Sequence, residues 1–199
     1  MTTAPSTRAG VLTAAKNALI DSGYAQLSTR RIAELAGVPL SQIHYHFGSK
    51  KNLVLEVLAD ENNRLLRRQA DMFAGETPFW KQWEQACDFL DEDLDSGYVR
   101  VLQEMVAAGW SDPEIAEAVR SYLRGWFALL RSVAEAAVQR LGPTRLLEAA
   151  HIGSLVGAAF LGAETMILLG FEDEATKRAL RSLGDVIRHM EEQGASALS

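Results

Sequence analysis

Apolar residues recur along the chain at intervals of three and four, and no stretch alternates with period two for long enough to make a strand. That spacing predicts an all-α fold of about nine helices. Helix 1 is expected over Arg8–Ser22, capped by Ser6 or Thr7, stopped by Gly23, with Leu12, Ala15, Ala18 and Leu19 on its inner face. Helix 2 follows Ser28, a good N-cap residue, and ends at Gly37, the usual C-terminal stop. Helix 3, about Leu40 to His46, has Pro39 at its start, where a missing N–H costs little, and Gly48 at its end. Ser49 caps helix 4, which runs to about Met72 with Leu53, Val54, Val57, Leu58, Leu65 and Leu66 inward. Gly75 to Pro78 is the clearest break. Beyond it the pattern predicts helix 5 over Phe79–Leu94, helix 6 over Tyr98–Ala108, and helix 7 from Pro113 to the Gly142–Pro143 break. Helix 8 fills Thr144–Leu169, and helix 9 runs over Asp173–Glu192 before a frayed Ala195–Ser199.

The punctuation divides the chain into a head, residues 1–53, and a body, residues 54–199, with helix 4 connecting them. Charge sharpens this division. The whole chain carries −6, yet residues 1–53 hold six Lys/Arg against two acids, leaving −10 for the rest. A basic head on an acidic body points to a local polyanion contact. The single cysteine, Cys87, excludes an intrachain disulfide and any multi-cysteine metal site. With no charged n-region or apolar h-region at the start, the chain is expected to be cytoplasmic. Ile152–Gly170 is almost uncharged, but Glu164 and four glycines interrupt it and no basic cluster flanks it, so it reads as a buried helix and no membrane is expected.

Helices 2 and 3 have the form of a helix-turn-helix. Gly37 permits the sharp turn, Ala33 and Ala36 permit close crossing, and Ile32, Val38, Ile43 and Phe47, joined by Leu19 and Leu53, supply a shared core. Leu40, Ser41, Gln42, His44, Tyr45 and His46 then remain outside on helix 3, the element that such motifs lay in the major groove. They offer an amide for adenine, hydroxyls and imidazoles for bases or phosphates, and an apolar tip for a thymine methyl. The bland reading is a solvated basic face at Arg30, Arg31, Lys50 and Lys51, with His46 packed structurally against Phe47.

Thr29-Arg30-Arg31-Ile32-Ala33, Ala36-Gly37-Val38, and Tyr45-His46-Phe47-Gly48-Ser49-Lys50 with Leu53 together resemble the N-terminal signature of TetR-type repressors, over about Val11 to Val57. The resemblance implies an all-α homodimer that binds a palindromic double-stranded DNA operator and is released by a small-molecule effector, with no cofactor and no metal. By motif position, Thr29 would bind a phosphate, Arg30 would lie near the backbone or groove edge, and Gln42 would read a base. Tyr45, His46 and Lys50 would grip phosphates. The chain departs from the pattern at His44, where tyrosine is more usual, and at Pro39-Leu40, where helix 3 more commonly starts with polar residues.

The body carries two further expectations. Small residues on helix 8, among them Gly153 and Gly157 beside Leu161, suit a close helix–helix seam, with Leu180, Leu183 and Ile187 contributed by helix 9. Two such pairs from two chains would make a four-helix dimer bundle, favoured because a helix apolar all round needs cover on every side; the alternative is that helix 8 is the central helix of a monomer core. All four tryptophans lie within residues 80–126, in a stretch rich in aromatic residues. As a group these suit an apolar or aromatic effector, with Trp83, Met105, Trp126 and Phe160 as walls and Glu164 or His151 as a polar anchor. Singly, each reads first as an ordinary core residue. Neither a nucleophile signature around Cys87 nor a ligand pattern among the four histidines points to catalysis or metal, so no enzyme is expected. The reading is therefore a ligand-responsive repressor; the alternative is a helical ligand-binding or scaffold protein without operator binding.

Overall fold

A computed structural model describes residues 7–141 and 147–197 of the chain. Among them are nine α-helices and no strand. They are α1 (Thr7–Gln26), α2 (Thr29–Ala36), α3 (Leu40–Phe47), α4 (Lys50–Phe73), α5 (Phe79–Asp95), α6 (Tyr98–Gly109), α7 (Pro113–Leu141), α8 (Ala149–Leu168) and α9 (Asp173–Ala197). Over their described residues they form two compact units. The first takes Met1–Arg64 and Gly97–Tyr122; the second takes Leu65–Ser96 and Leu123–Ser199. The first is thus larger than the 1–53 head read from the punctuation, since it also includes α6 and the start of α7.

The first unit is built around α1, which packs on α2 and α6. Val11, Leu19, Ile32, Ile43, Leu53, Leu58 and Met105 are fully buried there. Each contributes about 1.5–3 kcal/mol of apolar transfer. Helix α1 does not stop at Gly23 as expected. Backbone geometry breaks there (φ 72°, ψ 167°), yet helical turns resume to Gln26. Across this kink the Tyr24 N–H leaves the ladder and donates to a Glu104 carboxylate oxygen at 2.9 Å. Trp110, at the α6–α7 turn, is 83 % exposed, so it is neither core nor pocket wall.

In the second unit α5 packs along α9, and α8 also packs on α9. Helix α5 follows Pro78 and has no side-chain cap of its own. Glu191 of α9 supplies one, accepting from the Phe79 and Trp80 N–H groups at 3.0 and 3.1 Å. An anion at a helix N-terminus satisfies orphan donors and opposes the macrodipole. Arg181 bridges Asp88 and Asp91 along the same seam, at 2.7 and 2.8 Å.

Helix α8 starts at Ala149, not Thr144: Leu147 and Glu148 lie outside it, and Glu148 is an extended N-cap residue whose carbonyl accepts from Ile152 N–H. Ser6, the Gly142–Pro143 break and Thr144 lie outside the described residues. At the other end α9 runs on to Ala197, past Gly194, well beyond the expected stop at Glu192. Helix α8 also corrects the expectation of a buried helix. It is long and apolar enough, by length and composition, to cross a membrane, but only 28 % of its apolar window is buried within the chain.

Candidate DNA-binding face

The α2–turn–α3 geometry follows from three residues. Ser28 is extended (φ −130°, ψ 145°), and its hydroxyl oxygen accepts from the Arg31 N–H at 3.2 Å, capping α2. Gly37 takes the left-handed conformation (φ 64°) that ends α2, and the following Val38 N–H reaches back to the Ala33 carbonyl at 3.0 Å. Any residue with a Cβ would be strained at that turn. Pro39 (φ −60°, ψ 144°) then directs the chain into α3. Beneath the turn, Ile32 and Ile43 are wholly buried and Phe47 is nearly so, while Val38 is half-buried.

What α3 leaves uncovered is a narrow polar face. Ser41, His44 and Tyr45, at spacing i, i+3, i+4, are exposed, Tyr45 to 81 %. Leu40, Gln42 and His46 are half-buried at its flanks. His46 sits edge-on to Tyr45 (ring centroids 5.0 Å apart) and to Phe47 (6.1 Å). Thr29, half-buried, and Arg30, exposed, open α2. Lys50 is turned inward: its ammonium donates to the Tyr24 carbonyl at 3.1 Å and lies 4.4 Å from the centroid of the Tyr24 ring. Tyr24 is a member of this site that sequence reasoning missed. It lies 26 residues from Lys50 and 80 from Glu104, and no local pattern signals either partner.

Electrostatics change the picture drawn from the charge count. Of the six cations in residues 1–53, Arg8 pairs with Glu56, Lys16 with Glu61 (3.1 Å), Arg31 with Glu34 (3.8 Å), and Lys51 with Asp112 (3.3 Å) and Glu114. The first compact unit as a whole holds nine Lys/Arg and nine Asp/Glu. The first unit is therefore balanced overall, although residues 1–53 alone carry an excess of cations. Arg30 is exposed, and Lys50 is the cation of this group that is turned inward. The Ile115 N–H, followed by the Lys51 ammonium, holds the Asp112 carboxyl below its usual range. Burial, aided by Asp112, raises the Tyr24 phenol.

The residues expected to line an effector pocket fall into both units. Met105 is fully buried in the first. In the second, Trp83 meets Phe160 edge-to-face at 5.6 Å, and its indole N–H donates to the Leu180 carbonyl at 2.8 Å. Trp126 donates to Gln69 at 2.9 Å, and Glu164 is buried. His151 is exposed. Buried Cys87 is no activated nucleophile: burial pushes its thiol up to about 11.

The residues assigned to a seam between chains divide. A Cβ at Gly153 would lie 2.9 Å from the backbone of Arg131, and one at Gly157 would lie 2.7 Å from the Phe127 ring. Both glycines therefore serve the approach of α8 to α7 within the chain. Their composition signals close approach without signalling which helix approaches. Leu180 is likewise buried, whereas Leu161 and Ile187 are half-buried and Leu183 is 42 % exposed. The uncovered strip of α8 is instead Leu155, Ala158, Ala159, Gly162 and Leu169 just past its end, with Val186 and Met190 exposed on α9.

Comparison with known proteins adds to this geometry. Residues 11–57 match the family model of bacterial regulatory proteins of the tetR family. No curated protein sequence matches the chain. Solved structures share its fold. A TetR-family transcriptional regulator from Agrobacterium tumefaciens superposes with TM-score 0.79 at 19 % identity, covering 92 % of this chain and 97 % of its own. The transcriptional regulator FadR from Bacillus subtilis, in complex with stearoyl-CoA, gives 0.75 at 14 % identity over 88 % and 96 %. A protein from Saccharomonospora viridis solved with choline gives 0.74 at 19 % identity over 88 % and 93 %.

Proposed function

We propose, from the match of residues 11–57 to the tetR-family model and the face built on them, that the protein is a ligand-responsive transcriptional repressor. It binds a palindromic operator as a homodimer and is released by a small apolar or aromatic effector. The observation that carries this reading is the face of α3. Ser41, His44 and Tyr45 stand exposed over a core of Ile32, Ile43 and Phe47 that fixes their direction. An 81 % exposed tyrosine that touches only the edge of the neighbouring His46 ring, beside exposed hydrogen-bonding groups, adds little to the core. It suits a helix laid in the major groove, with Thr29, Tyr45, His46 and Lys50 on phosphates and Leu40, Ser41 and Gln42 toward bases. Arg30 follows the groove edge, and the free N–H groups at the start of α2 favour a phosphate there.

Pairing of two such heads is supported by α8, an apolar helix only 28 % buried in its own chain. A second copy covering the strip from Leu155 to Leu169, against Leu183, Val186 and Met190 of α9, removes that surface from water. The aromatic content of the second unit supports an apolar effector, and two proteins of the same fold were solved with stearoyl-CoA and choline. Release requires that the effector bind the DNA-incompetent state more tightly; a ligand indifferent to both states shifts nothing. Selection of bound duplexes from a random pool, with and without candidate apolar ligands, tests the reading. Enrichment of a palindrome whose half-sites lie about 34–36 Å apart, with affinity falling steeply as salt rises, is expected. A protein that enriches no sequence at low salt is a ligand carrier and not an operator-binding regulator.

A further inference from the structure

The α3 face contains a constraint on how His44 can take part in recognition. His44 is exposed, and its Nδ1 lies 3.2 Å from the carbonyl oxygen of Gly48. A carbonyl oxygen only accepts, so in this contact Nδ1 carries the proton and donates. The Gly48 N–H in turn donates to the His44 carbonyl at 3.0 Å, so residues 44 and 48 clamp each other across the last turn of α3. A neutral imidazole has a single N–H. With that proton committed to Gly48, the Nε2 of the neutral ring is left as an unprotonated lone pair.

Phosphate and sugar-bridging oxygens are themselves acceptors, so an acceptor-only His44 has nothing to offer the backbone. In the major groove, hydrogen-bond donors come from two places only: the N4 amine of cytosine and the N6 amine of adenine. Resting on the operator-binding reading above, we propose that His44 is a base-reading acceptor whose Nε2 takes a hydrogen bond from an exocyclic amine, and that it makes no phosphate contact. One position in each half-site is thereby restricted to a base pair presenting cytosine N4 or adenine N6 to this ring. The tyrosine more usual at this position could donate its hydroxyl hydrogen; a neutral His44 with its Nδ1 proton engaged cannot donate from Nε2.

The test uses the full chain at mildly alkaline pH. Duplexes are selected by the wild type and by His44→Ala, and in the wild-type site the amine-bearing base is replaced by its analogue lacking the amine, purine for adenine or 2-pyrimidinone for cytosine. The expected results are loss of preference at that one position in His44→Ala, and a weakening of about 5- to 10-fold for the wild type on the analogue site. His44→Ala should be indifferent to the analogue. The slope of affinity against salt should be the same for both proteins; a slope smaller by about one in His44→Ala marks an imidazolium on a phosphate and overturns the proposal. So does a preference that His44→Ala retains at every position. Long-range 15N–1H correlation on the free protein reads the tautomer directly, and a proton on Nε2 overturns the proposal without any DNA. If neither protein enriches a sequence while the tautomer is as described, the operator-binding reading falls and the base-reading role falls with it.

Discussion

Gly153 offers the most direct check on how α8 is seated. Replacing it with alanine places a methyl group 2.9 Å from the Cα and N of Arg131 and 3.0 Å from the carbonyl carbon of Leu130. These are backbone atoms of α7, so no rotamer change relieves the overlap, and α8 must back away by about 0.5–1 Å to restore ordinary contact. Overpacking of this kind costs about 1–3 kcal/mol. The same substitution also gains up to about 1 kcal/mol of helix propensity, which would mask part of the loss. Gly10 provides the control, because it lies in α1 with nothing within 4 Å of its ideal Cβ. Gly10→Ala receives the propensity gain without the clash. The difference between the two variants therefore isolates the clash, at about 1–3 kcal/mol. Urea unfolding followed by far-ultraviolet circular dichroism, at one fixed chain concentration, reads this difference as a shift in midpoint at unchanged slope. For a chain of this size, each kcal/mol also lowers Tm by about 2–4 °C. Equal midpoints for Gly153→Ala and Gly10→Ala would refute the backbone approach of α8 to α7.

Leu155→Glu, at a site 57 % exposed within the chain, should leave helicity intact but convert the dimer to monomer in sedimentation at micromolar concentration and abolish operator binding. A persistent dimer removes α8 from the interface. Trp126→Phe leaves the buried Gln69 oxygen without its donor and should cost about 1–3 kcal/mol in the same urea assay; a loss below about 0.5 kcal/mol would show the bond is replaced by solvent. Asp112 has a depressed folded-state pKa, so its contribution is present above its unfolded value, about 3.9, and is lost as pH falls through the depressed value. Asp112→Asn keeps a capping oxygen but removes the charge, so its urea midpoint should fall less than the wild type's between pH 5 and about 2.5; parallel decline would exclude Asp112 as a source of acid sensitivity.

The parts of the molecule legible in the sequence are those whose partners are near in the chain. Ser28 and Gly37 bracket α2 because a cap and a left-handed stop act within four residues. The core of α2 and α3 follows from apolar spacing within a single motif. Where the partner is remote, the residue type alone misleads. Lys50 and Lys51 stand side by side as two cations, yet one folds onto Tyr24 and the other pairs with Asp112, 61 residues on. Gly153 and Gly157 announce a close helix contact in either direction, and only the packing assigns it to α7. Gly23 reads as a stop, but a kink leaves room for α1 to resume. The identity of residue 44 was plain from the start, whereas its hydrogen-bonding polarity depends on where the Gly48 carbonyl points.

The exposure of Trp110 has an optical consequence. Of the four tryptophans, Trp110 alone belongs to the first compact unit and is largely open to solvent; Trp80, Trp83 and Trp126 lie half-buried in the second. Intrinsic emission from the native chain is therefore a mixture of one red-shifted, iodide-quenchable fluorophore and three shielded, bluer ones. Quenched and unquenched light thus separate by location, and a Trp110→Phe variant leaves the second unit's signal by itself. The two compact units can then be followed as two colours from one unlabelled protein.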